Sequence, residues 1–234
     1  MMETLYLLPG TMCDERMWQP MLSSSNQAFH PEYLTISSAE TIDDIVLDIA
    51  KQLPDGPVNL LGFSLGGYLA CAFSVRFPER VKTLYVIANM PCALPDSEVK
   101  ERTRTVNWIR EHGYRGIPTK RILNLLSPSA HQNNEIVSLI RTMDADLGGE
   151  VLMQQLLATT QRVDLFEQLS ALTMKKYFCV GVEDTLVDIA HLQKINAQDE
   201  HMELTLFQQT GHMLPLEQSL LFSQWLNDLC LLNK

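Results

Sequence analysis

The sequence predicts an α/β fold: a mostly parallel six-stranded sheet with helices on both faces, interrupted between its fourth and fifth strands by an inserted helical cap. Three observations carry this. Short apolar runs of strand length alternate with stretches of helical spacing, the pattern of repeated βα units. One strand-to-helix junction, Gly62-Phe63-Ser64-Leu65-Gly66-Gly67, places glycines on both sides of a serine. Residues 94–165 then break the alternation with helix-like segments alone, a connection far longer than a βα unit needs.

Taken in order, Leu5-Tyr6-Leu7-Leu8 predicts a strand over 4–8, closed by Pro9-Gly10. Further strands are expected over 29–36, 58–63, 82–88, 176–181 and 202–207. Helices are expected over 41–53, where Ile42, Ile45, Val46, Ile49 and Leu53 recur at helical spacing, and over 65–77, 184–197 and 215–232. Sequential strands joined through helices lie parallel. Turn marks at Gly113, Gly116, Pro118, Pro128 and Gly148-Gly149 divide the long connection into helix-sized pieces. The expected organisation is therefore a core in two parts, 1–93 and 166–234, with a helical cap over 94–165. Long insertions in compact domains are often functional lids.

Composition narrows the partners. The chain has 234 residues, 46% of them apolar, enough for one sizeable core. Its formal charge is −10, which argues against nucleic acid. No apolar run approaches the roughly 18 residues of a membrane span, and no signal-peptide pattern opens the chain. Five dispersed cysteines without C-x-x-C spacing suit reduced thiols in a cytoplasmic protein. Cys13 stands apart from the other four, because it falls close to the expected site and could be reactive. The six histidines show no metal-ligand spacing, and neither a dinucleotide nor a P-loop phosphate motif occurs, so neither a metal nor another cofactor is expected.

The chemistry collects at strand ends. Gly62-Phe63-Ser64-Leu65-Gly66 is a G-x-S-x-G pattern between an apolar strand and a helix, the setting in which a serine is held on a sharp turn as a nucleophile. The small flanking residues let strand and helix approach. Ser64 then stands above a helix N-terminus that favours negative charge. Two backbone donors fit an oxyanion hole: Leu65, directly after the serine, and Thr11, after the first strand's Pro9-Gly10 turn. His212, in Gln209-Thr210-Gly211-His212-Met213-Leu214-Pro215-Leu216-Glu217, follows the last strand and is the candidate base. Asp184, in Gly181-Val182-Glu183-Asp184-Thr185, follows the fifth strand and is the candidate acid that would fix the histidine tautomer. Glu183, Asp188 and Asp164 compete with it. The fourth strand ends in Asn89-Met90-Pro91, without a carboxylate.

Together with Phe77-Pro78-Glu79-Arg80-Val81 and Arg162-Val163-Asp164, these motifs make the chain resemble the α/β-hydrolase superfamily along essentially its whole length. The similarity is to the small bacterial branch of carboxylesterases and thioesterase-like enzymes that also includes a lyase of menaquinone synthesis. The order Ser…Asp…His is the family's. Pro9 stands where many members have histidine, and Asp188 where many have proline. The resemblance implies a cofactor-free hydrolase that opens a small-molecule ester or thioester through an acyl-serine. It also leaves open a lyase using the same set as a base. That lyase group carries an arginine four positions after the serine, where this chain has Tyr68. A non-catalytic binding module is a third possibility. Met90 and Met213 follow strand ends and are either packing or the wall of an acyl pocket.

One compositional feature bears on the substrate. Residues 97–141 carry eight basic and four acidic side chains, a net +4 within a chain of −10. Such a run is either a solvated helix face or a basic lid that favours a negatively charged substrate. The second reading requires at least one of Arg102, Arg104, Arg110, Arg115 or Arg121 to face the cleft.

Overall fold

The computed structural model describes residues 2–23 and 27–232. Six strands, β1 (Glu3–Leu8), β2 (Phe29–Tyr33), β3 (Val58–Phe63), β4 (Val81–Ile87), β5 (Lys175–Gly181) and β6 (Met202–Phe207), form one sheet in the order β2-β1-β3-β4-β5-β6. Every neighbouring pair is parallel. Because β2 lies on one side of β1 and β3 on the other, the chain reverses its direction across the sheet between them. The loops after β1 and β3 therefore diverge above a crevice at the carboxyl edge, the place where open α/β sheets hold their sites.

All six residues of β3 are buried, as befits a central strand covered on both faces. Around the sheet lie α1 (Gln19–Leu22), α2 (Ile42–Gln52) and α3 (Leu65–Arg76), then α4 (Asp96–His112), α5 (Thr119–Leu125) and α6 (Asn134–Thr160). The chain closes with α7 (Phe166–Ser170), α8 (Ile189–Asn196), α9 (Leu214–Glu217) and α10 (Ser219–Leu232). One face of the sheet, with Leu7, Leu61, Phe63, Tyr85 and Cys179, packs against α1, α10 and residues of α5 and α6. The other, with Leu60, Leu84, Val86, Phe178 and Val180, packs against α2, α3, α7 and α8. Helix α2 starts where Thr41 accepts the Asp44 N–H at 3.1 Å, with Asp43 and Asp44 in the first turn, both favourable at a helix N-terminus.

The strands and most helices fall where the residue pattern places them, and the connection between β4 and β5 is helical. Three boundaries differ, each for a local reason. Residues 184–188 form a loop, not a first helical turn, because Asp188 caps α8 by accepting the His191 N–H at 3.0 Å. The last helix is broken at Gln218 (φ −128°), leaving α9 as a separate turn under the preceding loop. β2 ends at Tyr33, three residues early, where its ladder with β1 runs out. Gly148, at φ 77° and ψ 172°, kinks α6, in line with its place among the turn marks.

Candidate active site

The carboxyl edge of the sheet is where the backbone departs furthest from ordinary conformations. Among the described residues, four non-glycine residues have positive φ: Met12, Ser64, Ala88 and Gln209. Each follows the end of a strand. Strain of this kind persists only where the surroundings over-determine it, and it collects at functional sites. At Ser64 (φ 50°, ψ −114°) the constraint is visible. Its N–H donates to the Ile87 carbonyl at 2.8 Å, and a Cβ on Gly62 would run into the Gly66 carbonyl. The two glycines let the chain turn from β3 straight into α3 with the serine side chain at the tip.

Three predicted residues converge there. His212 Nε2 lies 2.9 Å from Ser64 Oγ, and His212 Nδ1 lies 2.8 Å from Asp184 Oδ2. The His212 and Asp184 side chains are almost wholly buried, whereas Ser64 keeps partial access to solvent. Asp184 is held from its other oxygen, which accepts the Leu186 N–H at 2.8 Å. The Phe63 ring packs against the imidazole with centroids 5.3 Å apart. None of the competing carboxylates is placed for this role: Glu183 is exposed, Asp188 caps α8, and Asp164 accepts the Phe166 N–H.

Leu65 is the first residue of α3, where backbone amides have no partner inside the helix. The turn before Thr11 comes close to the serine: a Cβ on Gly10 would lie 3.3 Å from Ser64 Cβ. The next residue, Met12, donates its N–H to Gln155 Oε1 of α6 at 3.0 Å, in a buried contact. Cys13 is half-buried beside this loop. Burial pushes its thiol up to about 12, with Asp14 adding to the shift, so the reactive thiolate is scarce at neutral pH. None of the five cysteines forms a disulfide among the described residues.

Contacts that the sequence did not announce hold the histidine loop. The end of α5 lies against it: the Leu125 carbonyl accepts both the His212 N–H (2.9 Å) and the Met213 N–H (3.2 Å). Glu217 Oε2 accepts from Gly211 N–H at 3.1 Å and from Ser127 N–H at 2.8 Å. A Cβ on Gly211 would collide with the Ser127 backbone nitrogen, so only glycine admits this approach. Thr185, beside the acid, donates to the Asn124 carbonyl at 3.3 Å. Glu217 stood in the motif as a letter without a role, and no local signal marks Leu125 or Gln155.

Most of the basic run is a solvated face. Arg104, Arg110, Arg115 and Arg121 are exposed. Arg102 alone of the five turns inward, pairing with Glu98 at 2.9 Å and reaching Thr159 Oγ1 at 3.3 Å. Among the described residues there is no group of side chains that could hold a metal ion, and no helix is long and apolar enough to cross a membrane.

The chain is similar in sequence and in fold to known proteins. A family model described as the alpha/beta hydrolase fold matches residues 22–219. A pimeloyl-[acyl-carrier protein] methyl ester esterase from Aliivibrio salmonicida is 25% identical over 89% of this chain and 84% of its own length. An enzyme of the same name from Nitrosomonas europaea is 30% identical, over 38% of each chain. Among solved structures, a thermophilic esterase from Thermogutta terrifontis superposes with a TM-score of 0.85 at 20% identity, covering 99% of this chain and 90% of that one. The enol-lactonase from Burkholderia xenovorans superposes at 0.82 with 16% identity, over 97% and 90% of the two chains.

Proposed function

The chain belongs to the α/β-hydrolase family, and from that premise we propose that it is a serine carboxylesterase that opens an ester or thioester of a small molecule through an acyl-serine. The single observation behind this reading is the unbroken relay Asp184–His212–Ser64, with contacts of 2.8 and 2.9 Å at the carboxyl edge of the sheet.

In this mechanism Asp184 accepts the Nδ1–H of His212 and so leaves Nε2 free to accept. His212 takes the Ser64 proton as Oγ attacks the carbonyl carbon, and the carbonyl electrons move to oxygen. The N–H groups of Leu65 and Thr11 hold that oxyanion, with the α3 N-terminus adding its positive potential. His212 returns the proton to the leaving alcohol or thiol as its bond to the acyl carbon breaks. Water repeats the sequence and releases the acid, so no cofactor takes part. The relatives named for cleaving a methyl ester make small alkyl esters the first substrates to try.

Elimination chemistry draws no support of its own, since Tyr68, four residues after Ser64, is tied to the Val163 backbone through its hydroxyl. The test is labelling with a fluorophosphonate beside a panel of p-nitrophenyl esters and acyl-CoAs. The expected result is an adduct on Ser64 and turnover of short esters. Labelling with no turnover of any ester or thioester would overturn the esterase reading.

A further inference from the structure

Arg162 stands two residues beyond α6, where the chain returns from the inserted helices to the core. Its guanidinium carbon lies 4.8 Å from the centroid of the Tyr68 ring. The Tyr68 hydroxyl donates to the Val163 carbonyl at 3.0 Å and accepts the Val163 N–H at 3.1 Å, so ring and arginine are held against each other. Tyr68 is one turn into α3 from Ser64, about 6 Å along the helix axis.

What Arg162 lacks is an anion. Its buried Nε has no hydrogen-bond partner among the described residues. The carboxylate that acts on it, Glu98, does so weakly and is already engaged by Arg102 at 2.9 Å. The neighbouring Arg102 repels it, and desolvation lowers its pKa to about 10, which still leaves it charged at neutral pH. A half-buried guanidinium whose Nε is cut off from water and from any acceptor is costly, and native proteins rarely leave such a group unsatisfied. A polar track runs from its neighbour Arg102 toward the Thr11 loop. Gln155 holds the Met12 N–H beside Thr11, Thr159 Oγ1 donates to the Gln155 carbonyl one turn on, and Arg102 donates to that hydroxyl.

Building on the serine-esterase reading, we infer that Arg162, stacked on Tyr68 and flanked by Arg102, binds a free carboxylate at the far end of the acyl chain, so that the preferred substrates are half-esters of dicarboxylic acids. The guanidinium fork matches a carboxylate in a bidentate way, and the contact gains strength where water is scarce. The five exposed arginines of the basic run, by contrast, remain hydrated and select little.

The experiment compares monoesters of straight-chain dicarboxylic acids of increasing length with neutral monocarboxylic esters of the same lengths. The wild type should favour half-esters near one chain length. Arg162→Gln should raise KM for them about ten- to hundredfold and leave neutral esters within about twofold. Arg162→Lys should recover part of the loss, keeping charge without the fork. Equal changes for both ester classes, or none, overturn the proposal. Fluorophosphonate labelling of Ser64 in the Arg162→Gln protein checks that it is folded. Calorimetric titration of the free dicarboxylates into Ser64→Ala protein, with and without Arg162→Gln, reads the site without turnover. Binding that depends on Arg162 in a protein that hydrolyses no ester would sink the esterase reading and keep the site. Hydrolysis by a labelled Ser64 without preference, and no such binding, would do the reverse.

Discussion

The carboxyl edge of the sheet and the underside of the inserted helices meet around the same three side chains, yet they hold them by different means. On the edge the restraint is local and redundant. Ser64 is fixed by a glycine-framed turn, by its N–H on Ile87 and by the first turn of α3, and Asp184 is fixed by its own loop through Leu186 N–H. From above, the restraint comes through single polar contacts between distant segments: Gln155 to Met12, Leu125 to His212 and Met213, and Ser127 through Glu217 to Gly211. Redundant restraint resists any one change except loss of the reacting group itself. Single contacts give way one at a time. Substitutions on the edge should therefore act nearly all-or-none, and those beneath the inserted helices by degrees.

The sharpest break should come at the tip of the turn. Ser64→Ala is expected to remain folded and to lower kcat by on the order of 10⁴–10⁶, measured on whichever p-nitrophenyl ester the wild type turns over best. A variant that kept more than about a tenth of the activity would remove Ser64 as the nucleophile. Asp184→Asn should cost about 10⁴ by presenting the wrong histidine tautomer, with the Leu186 contact retained by the amide oxygen. Asp188→Asn serves as the control. It alters only a helix cap, so a larger loss from it would mean that the acid has been misassigned.

Glu217 tests the other half of the comparison. Replacing it with alanine leaves two backbone N–H groups, on Gly211 and Ser127, without their acceptor. Each unsatisfied buried donor costs about 1–3 kcal/mol, so the denaturation midpoint should fall. A histidine displaced by a fraction of an ångström should lower kcat up to about a hundredfold while KM changes little. Glu217→Gln retains an accepting oxygen and should recover much of both losses. A drop in stability with kcat unchanged would show that the clamp supports the fold and not the histidine.

The legibility of the molecule follows the same line. The parallel sheet and the strand-end motifs that carry Ser64, Asp184 and His212 are legible in the sequence because each motif is a short contiguous run. Glycines mark close approaches, and apolar runs mark strands. The inserted helices could be located but not oriented. Their charge pattern leaves open whether an arginine of 102–121 turns from solvent toward the cleft, and only Arg102 turns inward, because nothing local to α4 says which face the core will take. Gln155 and Arg162 matter through partners more than ninety residues away, Met12 and the Tyr68 ring. Gln155 gives no sign of this in its neighbourhood, and Arg162-Val163-Asp164 was visible only as a fragment of family likeness. The later start of α8 has a similar cause: the sequence offers Asp188 as a candidate carboxylate, and its role as a helix cap shortens the helix.

The smallest expected effect lies at the outer rim, where the loop after Thr11 meets α6. Asp14 accepts from the Arg16 side chain, and Arg16 in turn reaches Asp146 at 2.6 Å, joining edge to inserted helix by partly exposed charges at the surface. The Arg16 hydrogen bond holds the Asp14 carboxyl below its ordinary value of 3.8. A carboxyl whose native pKa is depressed contributes its stability in full above the unfolded value and loses it as pH falls through the native one. The contribution should thus be present at pH 7 and vanish below the usual carboxylate range. Solvent-exposed pairs are worth about 0–1 kcal/mol, and salt reduces them further. Asp14→Asn should shift the urea midpoint slightly downward at pH 7 and not at all in strong acid, with kcat within about twofold of wild type. A tenfold loss of kcat from this change at the rim would mean that the rim shapes the Thr11 loop, and that the edge is less self-sufficient than its internal contacts indicate.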